Sequence, residues 1–229
     1  MASSPPTDTF IREVDEELRR DQLSDVWRRY GRWLLAAIVI ILAAWGGWIY
    51  WQAQRDKAAG LEGETFTQTL QKLEAGNLAS AETDLKALRN SEIDGYRVAA
   101  RLTEAAVAQG KGDQKSAAKL YSAIAADASV AKPWRDMALV RQTAAEFDGL
   151  EPGAVIARLK PLAAKGEPWF GSAGEMVAIA YLNQNRPNEA GKLFAEIGKD
   201  EQVPETIRSR AIQMAGALGV DAVDPAPKP

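Results

Sequence analysis

From Trp33 to Trp51 the chain reads WLLAAIVIILAAWGGWIYW, and no charged residue falls between Trp33 and Gln54. Both faces of this run are apolar, so it does not read as one side of a buried core helix. At about 1.5 Å rise per residue, such a helix spans a hydrocarbon core of roughly 30 Å. Aromatic residues stand at both ends: Trp27, Tyr30 and Trp33 before, Trp48, Tyr50 and Trp51 after. Such rings favour the headgroup level of a bilayer. The pattern predicts one transmembrane helix over residues 33–51.

Beyond Gln54 the pattern changes to spaced apolar positions on an Ala, Leu, Glu, Lys and Gln background. β-branched runs and Asn-Gly turns are missing, so strands are not expected. Four segments align: GNLASAETDLKAL from Gly76, GDQKSAAKLYSAI from Gly112, GLEPGAVIARLKPL from Gly149 and NRPNEAGKLFAEI from Asn185. Each places an alanine five residues after its Gly or Asn: Ala81, Ala117, Ala154 and Ala190, about 36 residues apart. Large apolar residues follow at +4 (Leu85, Tyr121, Phe194) and at +7 (Leu88, Ile124, Ile197). The third copy has Arg158 and Pro161 at these places. Moving one residue along restores the pattern as Val155, Leu159 and Leu162, which reads as a one-residue insertion.

This spacing has a physical reading. The Gly or Asn ends the first helix of a pair in a left-handed conformation. The small alanine lets the second helix approach closely, and the +4 and +7 residues fill the same face. One pair cannot bury its apolar face alone, so pairs stack. The expected fold is all-α: a transmembrane helix, a solenoid of about four helix pairs, and a capping helix from Pro204 to about Leu218. In the cap, Ile207, Ala211 and Met214 form the expected stripe. GKGD at Gly110 is read as a helix-ending turn and Gly171–Gly174 as a helix start after the Pro168-Trp169-Phe170 loop.

The remaining segments complete the division of the chain. Residues 1–32 form a cytoplasmic segment, Ser/Pro/Thr-rich to residue 8. A short amphipathic helix follows from Thr9, with Phe10, Ile11, Val14 and Leu18 on its apolar side. It suits a membrane surface or a protein partner. Residues 52–219 form the repeat domain, and residues 220–229 a solvated tail.

Charge adds the orientation. Arg19, Arg20, Arg28, Arg29 and Arg32 precede the span closely, and only Arg55 and Lys57 follow it at similar range. The positive-inside rule then keeps the N-terminus in the cytoplasm and exports the repeats. A cleaved signal peptide fits less well: the leading segment is long and acidic, and no clear A-x-A site follows the run. The 229 residues carry a net charge of −3 with no clustered basic surface, which gives no reason to expect nucleic acid as a partner.

Composition also narrows the chemistry. The chain has no cysteine and no histidine. Disulfides, thiolate nucleophiles, imidazole bases and His/Cys zinc sites are thereby excluded. No phosphate-cradling loop is present. No cofactor, metal or catalytic residue is expected, and carboxylates such as Glu146 and Asp148 read as a solvated face.

The G-x4-A-x3-[LYF]-x2-[LI] spacing resembles the second half of a tetratricopeptide repeat. Among the first helices MVAIAYLNQN matches best, with Ala178 and Tyr181 before Asn185, while the usual Trp-x2-Leu-Gly opening is missing. The order of parts, with REVDEELRRDQLSDVWRRYGRW running into one span and a degenerate repeat domain, resembles the YfgM-like family of bacterial inner-membrane proteins. That resemblance covers roughly Thr9 to Leu218. It implies a non-enzymatic accessory of the Sec translocon, associated with SecYEG and with a membrane-anchored periplasmic chaperone. It also implies contact with newly exported polypeptides. The implied location is the inner membrane, single-pass, with the repeats in the periplasm. The competing reading is a structural scaffold or adaptor for envelope assembly or cell division.

Mapping the family's concave face onto these copies selects Ala99, Leu102, Asp136, Leu139, Glu175, Ile179 and Leu182 as the candidate binding surface. The apolar members equally suit packing between neighbouring helices. Trp134, Trp169 and Phe170, in the connections between pairs, are candidates either for burial or for client contact.

Overall fold

A computed structural model describes the backbone of residues 7–221 and the side chains of residues 31–221. The expected unstructured ends lie outside the described residues except for Thr7, Asp8, Val220 and Asp221. The apolar side of the leading helix also lies outside them. Among the described residues every regular element is helical: α1 (Thr7–Glu74), α2 (Leu78–Leu88), α3 (Asp94–Gly110), α4 (Gln114–Ala125), α5 (Lys132–Glu146), α6 (Pro152–Leu159), α7 (Phe170–Asn183), α8 (Pro187–Lys199) and α9 (Glu205–Ala217). The chain divides into two units, Met1–Leu61 and Glu62–Pro229.

Helix α1 is continuous over 68 residues, where the sequence pattern suggested separate segments. It begins at Thr7, so Thr9 lies inside the helix. No proline occurs between Pro6 and Pro133. The glycines inside α1 each cost only about 1 kcal/mol of helix propensity, too little to break it.

In the first unit, the side chains from Trp33 to Trp51 are all exposed. The most apolar 18-residue window of the stretch has a mean hydropathy of 2.0, and none of it is buried by protein. The helix is long and apolar enough to cross a bilayer. At its far end Trp48 and Trp51 lie 5.7 Å apart between ring centroids. The Arg55 guanidinium sits 4.7 Å from the Trp51 ring. Gln54 Nε2 donates to the Tyr50 hydroxyl at 3.0 Å. This is the mixture of rings and polar groups expected at a headgroup boundary.

In the second unit, the last turns of α1 reach α2 through Thr69 and Lys72, which both meet Asp84; α3/α4 and α7/α8 pair closely, α5/α6 more loosely, and α9 lies against α8. Three first helices end alike. Asn77 N donates to Lys72 O at 2.8 Å and Gly76 N to Leu73 O at 3.0 Å. Asp113 N and Gly112 N do the same to Ala108 O and Gln109 O, as do Arg186 N and Asn185 N to Tyr181 O and Leu182 O. Gly76, Gly112 and Asn185 have φ of 77°, 80° and 58°. These are left-handed caps that consume the orphan carbonyls. Gly149 does not follow: α5 instead tightens into a 3-10 turn over Phe147–Gly149, and Pro152 opens α6.

The repeat positions form the core. Ala81, Ala117 and Ala190 are each 0% exposed, as are Leu85, Leu159 and Ile197. In the third copy Ala154 is exposed and Val155 takes the buried place. The copy is therefore shifted by one residue, as its Leu159 and Leu162 suggested. In α9, Ala211 and Ala215 are buried while Met214 is 37% exposed, so the stripe runs 207–211–215 and not through Met214. Phe170 is buried and Trp169 half-buried; Trp134 remains exposed.

Candidate interaction surface

The first helices carry the expected contact positions, and each has a defined place. Leu102 is buried with Val98, Ala105 and Tyr121. Leu139 is half-buried against the cluster of Val155, Leu159 and Val177. Ile179 and Leu182 pack beside Phe194 and Ala178. The four apolar members thus belong to three successive cores and do not form one patch. Their side chains hold repeat to repeat.

The other three face outward to differing degrees. Ala99 is half-buried, and its carbonyl accepts from Thr103 Oγ1 at 2.8 Å. Asp136 accepts from Lys132 Nζ at 2.5 Å, one turn back on α5. Its carboxylate raises the Lys132 pKa above the ordinary lysine value. Glu175 accepts from Arg210 Nε and Nη2, both at 2.8 Å.

Polar ties of the same kind hold the turns. Arg101 Nη1 reaches Asp127 at 2.7 Å, and Ser129 Oγ donates to the same carboxylate at 2.6 Å. The Ser129 hydroxyl, then Arg101, hold Asp127 down at about 2. Lys72 meets Asp84 at 2.5 Å, and Lys111 pairs with Glu82. Tyr121 lies in the second core, where burial raises its hydroxyl pKa. Among the described residues no group of three acidic side chains converges as a cation site.

Among the described residues, the clefts that escaped the sequence pattern include two beside the third copy and Trp134. One, of about 780 Å³, lies between α4 and the α5–α6 turn, with Ala118, Ala126 and Leu150 on its walls and Lys115 and Lys119 at its rim. Its signal was the irregular third copy, whose 3-10 turn and shortened α6 interrupt the regular stack. Arg158 crosses that turn to Glu146 at 2.5 Å. The other, of about 350 Å³, lies where α3 and α5 begin, beside Trp134. Its only sequence signal was an aromatic residue directly after Pro133.

Comparison with known proteins agrees with this architecture. The chain is 31% identical over 107 residues to the "Ancillary SecYEG translocon subunit" of Haemophilus influenzae, a match covering 45% of this chain and 51% of that protein. The match therefore spans about half the length of that curated relative. No solved structure matches. The resemblance to the YfgM-like family is borne out by this relative together with the family model. The model of the tetratricopeptide repeat-like domain matches residues 25–215, beginning ahead of the apolar run and ending in α9. Matched over most of its length, from the approach to the span through four stacked pairs, the chain belongs to the tetratricopeptide repeat-like domain family.

Proposed function

We propose that the protein is a non-enzymatic accessory of the Sec translocon in the bacterial inner membrane. Its N-terminus lies in the cytoplasm, residues 33–51 cross the bilayer, and the repeat domain works in the periplasm. There it binds proteins and links export to a membrane-anchored periplasmic chaperone, receiving newly exported polypeptides. The observation that carries this is the joining, in one matched family region, of a lipid-compatible span to a stack of helix pairs. Stacked pairs create extended binding surface. The role of the Haemophilus relative supports the Sec partner. The excess of arginines before the span supports the orientation.

The first-helix face is the proposed contact surface. Ala99, Asp136 and Glu175 are its outward members, and Leu102, Leu139, Ile179 and Leu182 are the packing beneath it. The chain should copurify with Sec channel subunits and a periplasmic chaperone from gently solubilised native membranes. Recovery of a stoichiometric envelope-assembly complex without Sec subunits would instead identify a scaffold.

A further inference from the structure

The cleft at the start of α3 and α5 has a chemistry that the translocon reading does not use. Arg135 lines it, half-buried, and its guanidinium has no acceptor or counter-ion among the described residues. Its Nε is closed off from solvent and makes no hydrogen bond. A donor closed off from solvent without an acceptor is uncommon, so such an atom is normally paired. The neighbouring cations are already engaged: Arg97 with Asp94 and the Ser91 carbonyl, and Lys132 with Asp136.

Other features of the cleft favour the same occupant. With Arg97 paired to Asp94 and Lys132 to Asp136, Arg135 is the cation of the lining left without a carboxylate among the described residues. Both helices that open here begin without a side-chain cap, at Ile93 and Ala131. Their amide ends add partial positive charge toward the same place. Trp134, 43% exposed, stands beside Arg135, and buried Val98 and Val130 supply apolar floor. A volume of about 350 Å³ holds one or two side chains, not a folded surface.

We propose that this cleft docks an acidic, extended segment of a partner protein. A carboxylate of the segment pairs with Arg135 through the planar fork that suits it. An adjacent apolar side chain rests on Trp134 and Val130. The proposal rests on the reading of the domain as a protein-binding module and names the class of segment it takes.

The test uses the full chain in nanodiscs of zwitterionic lipid. The probe is a labelled octapeptide alternating Asp and Phe, and the control is its Asn-for-Asp isostere. Fluorescence anisotropy should show the acidic peptide binding about tenfold more tightly than the isostere, with binding weakened by salt. Arg135→Gln should remove about tenfold of that affinity, and Arg135→Lys should recover part of it. Trp134→Ala should weaken binding several-fold. Should R135Q lose helicity, R135K and W134A decide the matter. Equal binding of the two peptides, or wild-type binding by W134A together with R135Q or R135K, overturns the proposal. Copurification of the wild-type chain with Sec subunits separates the two ideas. If it occurs while the wild-type chain binds the two peptides equally, the translocon reading stands and the cleft proposal alone falls.

Discussion

Arg210 of α9 donates two parallel hydrogen bonds to Glu175 of α7, both at 2.8 Å, and so ties the capping helix to the last first-helix. The pair occupies a carboxylate that the repeat pattern offers for partner contact. Arg210 is 55% exposed and Glu175 23%, so water screens the attraction. A double-mutant cycle of Arg210→Ala and Glu175→Ala should give a coupling of about 0.5–1 kcal/mol. Urea unfolding of the four proteins measures it, and the coupling should shrink in high salt.

The one-residue shift of the third copy makes a sharp contrast. Ala117→Leu places three extra carbons at a 0% exposed site and should destabilise by about 1–3 kcal/mol. Ala154→Leu, at the aligned but exposed position, should stay within about 0.5 kcal/mol of the parent. Denaturant midpoints distinguish the two. Equal losses would mean that the unshifted alignment is the correct one.

Gly112 and Gly110 separate conformation from packing. Gly112 has φ of 80°, so Gly112→Ala should cost about 1 kcal/mol although no atom lies within 4 Å of the added carbon. Gly110 ends α3 with the same open surroundings but without a positive φ, and Gly110→Ala should stabilise by about 0.4–1 kcal/mol. Thermal melts of the two variants should move in opposite directions.

Acid should release the α4–α5 turn late. Asp127 is held at about 2, below its ordinary value of 3.8, by Ser129 and Arg101. A carboxylate with a depressed folded pKa stabilises fully above its unfolded pKa and loses that contribution as pH falls through the folded value. Asp127→Asn should therefore lower stability near neutrality. The difference from the parent should fade between pH 4 and pH 2. Chemical denaturation across that range checks the sign.

Much of this architecture was legible because a repeat writes the same burial problem several times. Leu85, Tyr121 and Phe194 share one offset from Gly or Asn, and all three are buried. Their agreement is stronger than any single helix signal. The unbroken α1 was less legible, since lipid-facing, solvent-facing and core-facing stretches follow one another without a proline to mark the changes. The candidate surface was the least legible. Leu102 and Ile179 satisfy the spacing of an exposed concave face and of a repeat-to-repeat seam equally well, and only their packed neighbours separate the two. The unpartnered Arg135 was invisible to spacing, because the acceptors of an arginine come from elements distant in sequence.

The absence of cysteine makes orientation measurable in an otherwise unaltered chain. Ser80→Cys, on exposed α2, should react with a membrane-impermeant maleimide in spheroplasts, and Ser24→Cys only after lysis. The reverse pattern would place the repeats in the cytoplasm against the arginine count.

The most direct measurement is site-specific photo-crosslinking in native membranes from positions spread around Trp33–Trp51. One face of the span should yield adducts with Sec channel subunits, recurring at helical spacing, while the opposite face crosslinks lipid. A span that yields only lipid adducts on every face, or adducts with a different membrane complex, would contradict the translocon assignment.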